Sequence, residues 1–297
     1  MTFKSCLRSM RLRTLPLSLA GVIAGISLAA DHNSLNWPLV TALLLTTVLL
    51  QILSNLSNEL GDTLSGTDTE QRQGIHYSLQ DGGMSIAQMK AFIAVVAMLC
   101  CCSGAVMTWL SFGTLFSWQP MLLLALGAAA IWAAVNYTLG KNPYGYRGKG
   151  DYFVFVFFGL VAVIGAAYVC SHSFEWLWLL PGAAFGAWSV AVLNVNNIRD
   201  MKTDSATRTT VALKLGVRKA RIYQTVLIAS GWLFLTVYFC MSGKFSVEAW
   251  KSALTFLTLP FFAFHLYGVW TRNDRALDPM LPLLVLSSFA TSLLFAL

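Results

Sequence analysis

Two short polar runs interrupt an otherwise apolar chain. Residues 55–68 read Asn-Leu-Ser-Asn-Glu-Leu-Gly-Asp-Thr-Leu-Ser-Gly-Thr-Asp, and residues 196–204 read Asn-Asn-Ile-Arg-Asp-Met-Lys-Thr-Asp. On a helix, Asn55, Asn58 or Glu59, and Asp62 share one face at i, i+3/i+4 and i+7. Asp68 lies further on, where a continuous helix would swing it away, and Gly66 offers a place for the helix to end and the chain to turn back. In the second run Asn196, Asp200 and Asp204 follow at i, i+4 and i+8, with Asn197 flanking them. Like charges four residues apart repel, and near an apolar boundary a desolvated carboxylate must find a cation or a proton. Something must therefore compensate Asp200 and Asp204. Carboxylates and Asn amides offer oxygen alone, a ligand set that suits a hard cation such as Mg²⁺. Arg72, Lys141, Arg147, Arg199 and Lys202 lie close by in sequence and could hold the remaining charge of a polyanion. The chemistry suggested is carboxylate, Mg²⁺ and diphosphate in one neutralised stack.

The elements that carry these runs are membrane helices. Of 297 residues, 57% are hydrophobic and 11% charged, against about 25% charged in a soluble domain. That shortfall excludes a soluble enzyme, a disordered chain and a nucleic-acid-binding protein. Nine stretches are apolar over the length of about 20 residues that a spanning helix needs: 15–30, 38–58, 88–110, 119–138, 151–170, 178–197, 222–241, 250–270 and 279–296. The first also fits a signal peptide, but Pro16, Gly21 and Gly25 favour a packed membrane helix. With the N-terminus inside, only Lys244 and Lys251 of the 20 Lys and Arg fall on the outer side. That bias predicts a cytoplasmic N-terminus and an outer C-terminus. Ten of the 13 acidic residues also fall inside, which topology rules do not explain. Function is expected at the inner face.

The runs repeat. Asn58/Asp62 and Asn196/Asp200 share the Asn-x-x-x-Asp spacing, and each follows a span running inward. The chain is thus expected to be one all-α membrane domain over 1–297, with two four-helix pseudo-repeats (about 15–140 and 141–297) and a ninth helix added. Such symmetry would bring the inner ends of spans 2 and 6 face to face. Between the runs lies Lys141-Asn142-Pro143-Tyr144-Gly145-Tyr146-Arg147-Gly148-Lys149-Gly150-Asp151, followed by the aromatic segment Tyr152–Phe158. Lys, two Tyr, Arg and Asp in a short inner loop are distinctive, and one face of the aromatic segment could line a pocket for an isoprenoid. Cys100, Cys101 and Cys102 are consecutive, at no metal spacing, and read as helix filler. His76 is the one histidine in the acidic inner loop. A cation-coupled transporter is the rival reading; it would need charges at span centres rather than at their inner ends.

Asn58-Glu59-x-x-Asp62 with Asp68, and Asn196-Asn197-x-x-Asp200-x-x-x-Asp204, resemble the two aspartate-rich motifs of the UbiA superfamily of intramembrane prenyltransferases. Arg13-Thr14-Leu15-Pro16, Gly66-Thr67-Asp68, the 141–151 loop and Asn196-Asn197-Ile198-Arg199-Asp200 resemble the branch acting on 1,4-dihydroxy-2-naphthoate in menaquinone synthesis. The resemblance implies a nine-helix bundle in the bacterial cytoplasmic membrane, with a cytoplasm-facing cavity and a side opening to lipid. It implies transfer of a polyprenyl group from polyprenyl diphosphate to the naphthoate, with loss of diphosphate and carbon dioxide, giving demethylmenaquinone. Other branches use 4-hydroxybenzoate or homogentisate as acceptor. Asp62, Asp68, Asp200 and Asp204 would bind Mg²⁺–diphosphate with Asn58, Glu59 and Asn196, and Arg72 and Lys141 would hold diphosphate oxygens. Asn55, Asn197, Arg147, Arg199 and Lys202 complete the expected binding set, with Tyr144, Tyr146 and Asp151 near the aromatic acceptor. Glu59 stands where the family has Asp, and Tyr77 where relatives usually have Arg.

Overall fold

The computed structural model describes residues 2–32, 34–66, 77–205, 207–244 and 249–297. Among them nine helical stretches are long and apolar enough to cross a membrane. A short helix, α1 (Phe3–Met10), leads into α2 (Leu15–Ala30). The others are α3 (Trp37–Leu64), α4 (Ile86–Phe112), α5 (Trp118–Asn136), α6 (Gly150–Ser171), α7 (Trp176–Arg199), α8 (Val211–Met241), α9 (Ser252–Thr271) and α10 (Asp274–Phe295). These are the nine expected spans, and the described residues form no strand beyond one isolated bridge, Arg147 with Thr209.

Two compact units divide the chain. The first holds Met1–Leu15, Asn36–Gly150 and Lys202–Thr210; the second holds Pro16–Leu35, Asp151–Met201 and Val211–Leu297. This division differs from a simple cut near residue 140. The first spanning helix groups with the later helices, and the end of the second polar run groups with the earlier ones. Asp200 and Asp204 therefore belong to different units.

In the first unit, α3 begins at Asn36, whose side chain accepts from the Leu39 N–H, and α4 begins at a reciprocal Ser85/Gln88 capping box. Ile52, Leu53, Leu56 and Leu60 on α3 pack against Met84, Met89, Val96 and Cys100. Cys100 is thus core filler, as expected. The outer faces of α4 and α5 stay open: Met98, Val106, Trp109, Met121, Leu122 and Trp132 are exposed. Contiguous apolar surface of that kind is stable against lipid rather than water. α3 runs on past its apolar stretch to Leu64 and stops at Ser65, with Gly66 at φ 71°, the turn expected there.

In the second unit an aromatic core dominates. Trp188 meets Phe262 at 4.7 Å and Trp232 at 5.1 Å between ring centroids, and its Nε1–H donates to the Ile228 carbonyl. The middle of α6, Phe155–Val161, is wound as a π-helix. There Gly159 lies so close to α7 that a Cβ would stand 2.5 Å from the Gly182 carbonyl oxygen. Widened turns of this kind often accompany functional sites in membrane and soluble helices alike. A smaller cluster of Val195, Ile198, Ala212, Ala220, Val269 and Leu277 supports the end of α7, where the second run sits.

Candidate functional site

The first-unit site is built on the last turns of α3. Asp62 is 4% exposed, and its Oδ1 accepts from the Tyr146 hydroxyl at 2.8 Å. Ser65 Oγ lies 2.9 Å from the same hydroxyl. Tyr146 is carried by a 3₁₀ turn, Tyr144–Tyr146, and the Thr209 N–H donates to its carbonyl. That backbone bond places 207–210 beside the 141–151 loop. Arg208 follows from it: its Nη2 is 2.6 Å from Asp204 Oδ2 and its Nη1 is 3.9 Å from Asp62 Oδ1. One guanidinium thus joins a carboxylate of each run. Burial alone would lower its pKa, but Asp204 and Asp62 outweigh burial and hold it above the ordinary arginine value. Beside Asp62, α3 packs closely on Thr138, since a Cβ on Gly61 would stand 2.5 Å from Thr138 Oγ1.

The neighbouring polar residues take other roles. Thr138 Oγ1 donates to the Ser57 carbonyl and approaches Asn58 Oδ1 at 3.3 Å. Asn55 donates to the Met10 carbonyl and to Thr14 Oγ1, so it ties α3 to the start of the chain. Glu59, expected as a metal ligand, is fully buried and accepts the Leu79 N–H at 2.9 Å, which anchors the segment after residue 76. Tyr77 meets the start of the chain: Arg11 stacks over its ring at 3.7 Å and Arg13 donates to its hydroxyl. Tyr144 donates to the Ala133 carbonyl, and burial, then Tyr137, push its pKa up. Arg147 donates to Asn142, and Lys141 is exposed. Asp68, Arg72 and His76 lie outside the described residues.

The second-unit site closes on Arg199. Its Nε and Nη2 clasp Asp200 at 2.7 and 2.6 Å, its Nη2 also donates to Asn196 Oδ1 at 2.9 Å, and its Nη1 reaches Asp278 at 2.7 Å. The compensation expected of Asp200 and Asp204 is therefore real: Arg199 serves one, Arg208 the other. The helical spacing expected of the run does not hold to its end. α7 stops at Arg199, Asp200 caps it at φ −92°, ψ 7°, and a separate turn spans Met201–Asp204. Asn196 and Asp200 stay together, whereas Asp204 leaves for the first unit. Asn197 is buried and Lys202 exposed. Asp151 Oδ2 accepts from the Tyr223 hydroxyl at 3.1 Å.

Sequence reasoning missed Arg208, Tyr223 and Asp278 as partners of the expected carboxylates. It also missed a buried chain below the second run. Asn194 donates to Gln224 Oε1 at 2.8 Å, leaving the Gln224 amide nitrogen to face His265 Nε2 at 2.9 Å. That order makes Nε2 the acceptor, so His265 donates through Nδ1 to the Met280 carbonyl.

Among the described residues no group of three or more His, Cys, Asp or Glu is close enough to hold a metal ion. The donor set still fits Mg²⁺ in kind. Asp62, Asp200 and Asp204 are each 4% exposed or less and present oxygen only, and the arginines beside Asp200 and Asp204 show that these sites accept a cation.

Membrane-length helices whose ends bury carboxylates against arginines define an integral membrane protein with polar chemistry at helix termini. The chain belongs to the UbiA prenyltransferase family, which matches residues 18–289, and it is a prenyltransferase. It is 35% identical to a 1,4-dihydroxy-2-naphthoate octaprenyltransferase of Haemophilus influenzae over 97% of this chain and 92% of that one. The protein of the same name from Escherichia coli is 36% identical over 98% and 93%. Among solved structures, an apo UbiA homologue from Aeropyrum pernix superposes with a TM-score of 0.70 at 16% identity, covering 96% of this chain and 97% of its own. A UbiA homologue from Archaeoglobus fulgidus, bound to DMAPP and Mg²⁺, superposes with 0.63 at 12% identity, each chain 99% covered. These likenesses establish the fold. The bacterial relatives point to the inner membrane.

Proposed function

We propose that the chain transfers a polyprenyl group from polyprenyl diphosphate to 1,4-dihydroxy-2-naphthoate, releasing diphosphate and carbon dioxide and forming the prenylated hydroquinone, demethylmenaquinol, which a separate two-electron oxidation would convert to demethylmenaquinone. The observation that carries this reading is the near-complete alignment, at 35–36% identity, with two proteins named for that acceptor. Asp62, Asp68, Asp200 and Asp204 would hold Mg²⁺ with Asn58 and Asn196. When bound, Mg²⁺ neutralises the diphosphate and makes it a better leaving group. Glu59 is left to its anchoring bond with Leu79.

The chain's own residues do the rest. Tyr146 holds Asp62 in place through its hydroxyl, and Arg208 pairs with Asp204 and faces Asp62 in a buried setting. Arg72, Lys141, Arg147 and Lys202 bind diphosphate oxygens as they come free of the allylic carbon. Cleavage of that C–O bond leaves a delocalised cation, which an aromatic face stabilises by about 0.5–2 kcal/mol. Phe153 and Phe157, stacked at 6.3 Å, offer such faces. The electron-rich ring attacks the allylic carbon, and the carboxyl then departs as carbon dioxide, restoring aromaticity. Apolar walls matter because water would otherwise capture the cation. Tyr144 and Tyr146 spend their hydroxyls on Ala133 and Asp62, so Asp151 with Tyr223 is the polar pair assigned to the acceptor. The N-terminus and the site are placed on the cytoplasmic side and the C-terminus outside, on the lysine and arginine bias.

An acceptor screen in membranes tests the reading, with labelled dihydroxynaphthoate, 4-hydroxybenzoate and homogentisate offered in turn with a series of polyprenyl diphosphates. Prenylation of the naphthoate alone is expected. Preference for either other acid would move the chain to another branch of the family, and uptake of cation without prenylation would favour a transporter.

A further inference from the structure

Asp278 belongs to neither polar run, yet it sits on the guanidinium that clasps Asp200. Arg199 has five N–H groups. Four are placed: Nε on Asp200 Oδ1, Nη2 on Asp200 Oδ2 and on Asn196 Oδ1, and Nη1 on Asp278 Oδ1. The side chains of Arg199 and Asp200 are 5% and 3% exposed, whereas that of Asp278 is 42% exposed. Asp278 lies where the 3₁₀ turn Asp274–Leu277 ends and its N–H returns to the Arg275 carbonyl. Pro279 follows, and its fixed φ helps hold the turn in this shape. The turn is seated by Leu277, fully buried in the cluster that also contains Val195 and Ile198 of α7. Asp278 is therefore held at a fixed place beside the end of α7 by the backbone and by packing, independently of its charge.

We propose that Asp278 is a positioning residue for the second motif. It holds Arg199 in place and neutralised, so that Asp200 and Asn196 can each turn an oxygen to a divalent cation. The proposal rests on the Mg²⁺ dependence set out above. The physical reason is one of charge. If Asp200 were the sole anion beside Arg199, drawing it onto a cation would leave a buried guanidinium uncompensated and facing like charge. With Asp278 on Nη1, the guanidinium keeps a carboxylate of its own throughout. Asp278 also fixes the direction of the guanidinium plane, and through it the orientation of the Asp200 carboxylate, as groups behind metal ligands do. Partial exposure suits the role: an anion in contact with water bears its charge at low cost before the cation arrives.

The test is Mn²⁺ binding by the full-length protein in detergent, followed by electron paramagnetic resonance with inorganic pyrophosphate present and no prenyl substrate. Wild type, Asp278→Asn, Asp278→Glu and Asp81→Ala are compared. Asp278→Asn is expected to raise the Mn²⁺ dissociation constant about 10-fold, the scale of loss for groups that orient metal ligands. Asp278→Glu, which restores the charge, should recover most of the affinity, and Asp81→Ala, at an exposed pair with Arg8 in the other unit, should match the wild type. Unfolding midpoints measured on the same samples should agree between the Asn and Glu variants, which separates positioning from folding. Unchanged Mn²⁺ binding in Asp278→Asn overturns the proposal, as does equal weakening by Glu and Asn. Tighter binding in Asp278→Asn also overturns it, because Asp278 would then be obstructing the site. A wild type that binds no Mn²⁺ with pyrophosphate refutes the metal dependence, and this proposal with it.

Discussion

The two carboxylate clusters solve one electrostatic problem in different ways. In the second unit, Asp200 is clasped through two nitrogens by its chain neighbour Arg199, in a pair buried on both sides. In the first, Asp62 has a phenol at 2.8 Å, and the Arg208 guanidinium stands 3.9 Å away and is closer to Asp204. The first cluster thus depends on a segment that returns from far along the chain, while the second is largely local. A buried carboxylate bound in fork geometry is strongly fixed, and one held by a phenol and a distant charge is easier to turn towards a ligand. The comparison teaches that equal spacing in sequence does not imply equal surroundings.

Substitutions that erase each cluster should have the largest effect. Asp62→Ala and Asp200→Ala are each expected to reduce prenyl transfer to background, and EDTA should silence the wild type until Mg²⁺ is returned. Survival of either variant would show that one cluster is dispensable. Next in size, Arg208→Met leaves Asp204 and Asp62 buried with less compensation. A loss of about 3–5 kcal/mol is expected from breaking such a pair, read as a fall in the thermal unfolding midpoint in detergent. Arg208→Lys should lose less, because it keeps the charge while giving up the fork. Tyr146→Phe removes the hydroxyl that bonds Asp62, a contact worth about 1.5–3 kcal/mol, together with its contact to Ser65. The rate should drop roughly tenfold or more, with folding intact, and a rate equal to wild type would remove Tyr146 from the site. Lys141→Ala should act more weakly still, raising the Michaelis constant for the prenyl diphosphate and leaving that for the acceptor. The reverse pattern would reassign Lys141. At the small end, Asp81→Ala breaks only the exposed pair with Arg8 and should change stability by at most about 0.5 kcal/mol, with full activity.

The nine helices were legible because each spans about 20 apolar residues, and no tertiary contact is needed to see that. The two runs were legible because desolvated carboxylates with a repeated spacing are costly unless they have a partner. Their partners were less so. Arg199 lies next to Asp200 but was read as a ligand for diphosphate rather than for its neighbour, since spacing says nothing of which anion a guanidinium meets. Arg208 and Asp278 are single charged residues in loops, and only the path of the chain brings them to Asp204 and Arg199. The end of the second run was misjudged because a helical periodicity was extended past Arg199, where the helix stops. Glu59 stands beside Asp62 on α3, and its bond to the Leu79 N–H through Oε1 could not be foreseen from spacing, because it depends on the return of the chain after residue 76.

In the proposed reaction the chain joins a polyprenyl group to dihydroxynaphthoate as the carboxyl departs, under Mg²⁺. The most direct measurement uses purified protein, carboxyl-labelled 1,4-dihydroxy-2-naphthoate and octaprenyl diphosphate, counting labelled carbon dioxide against prenylated product. One carbon dioxide per demethylmenaquinol is predicted with Mg²⁺, and neither product in EDTA. A prenylated ring that keeps its label, or equal turnover without the metal, would contradict the account.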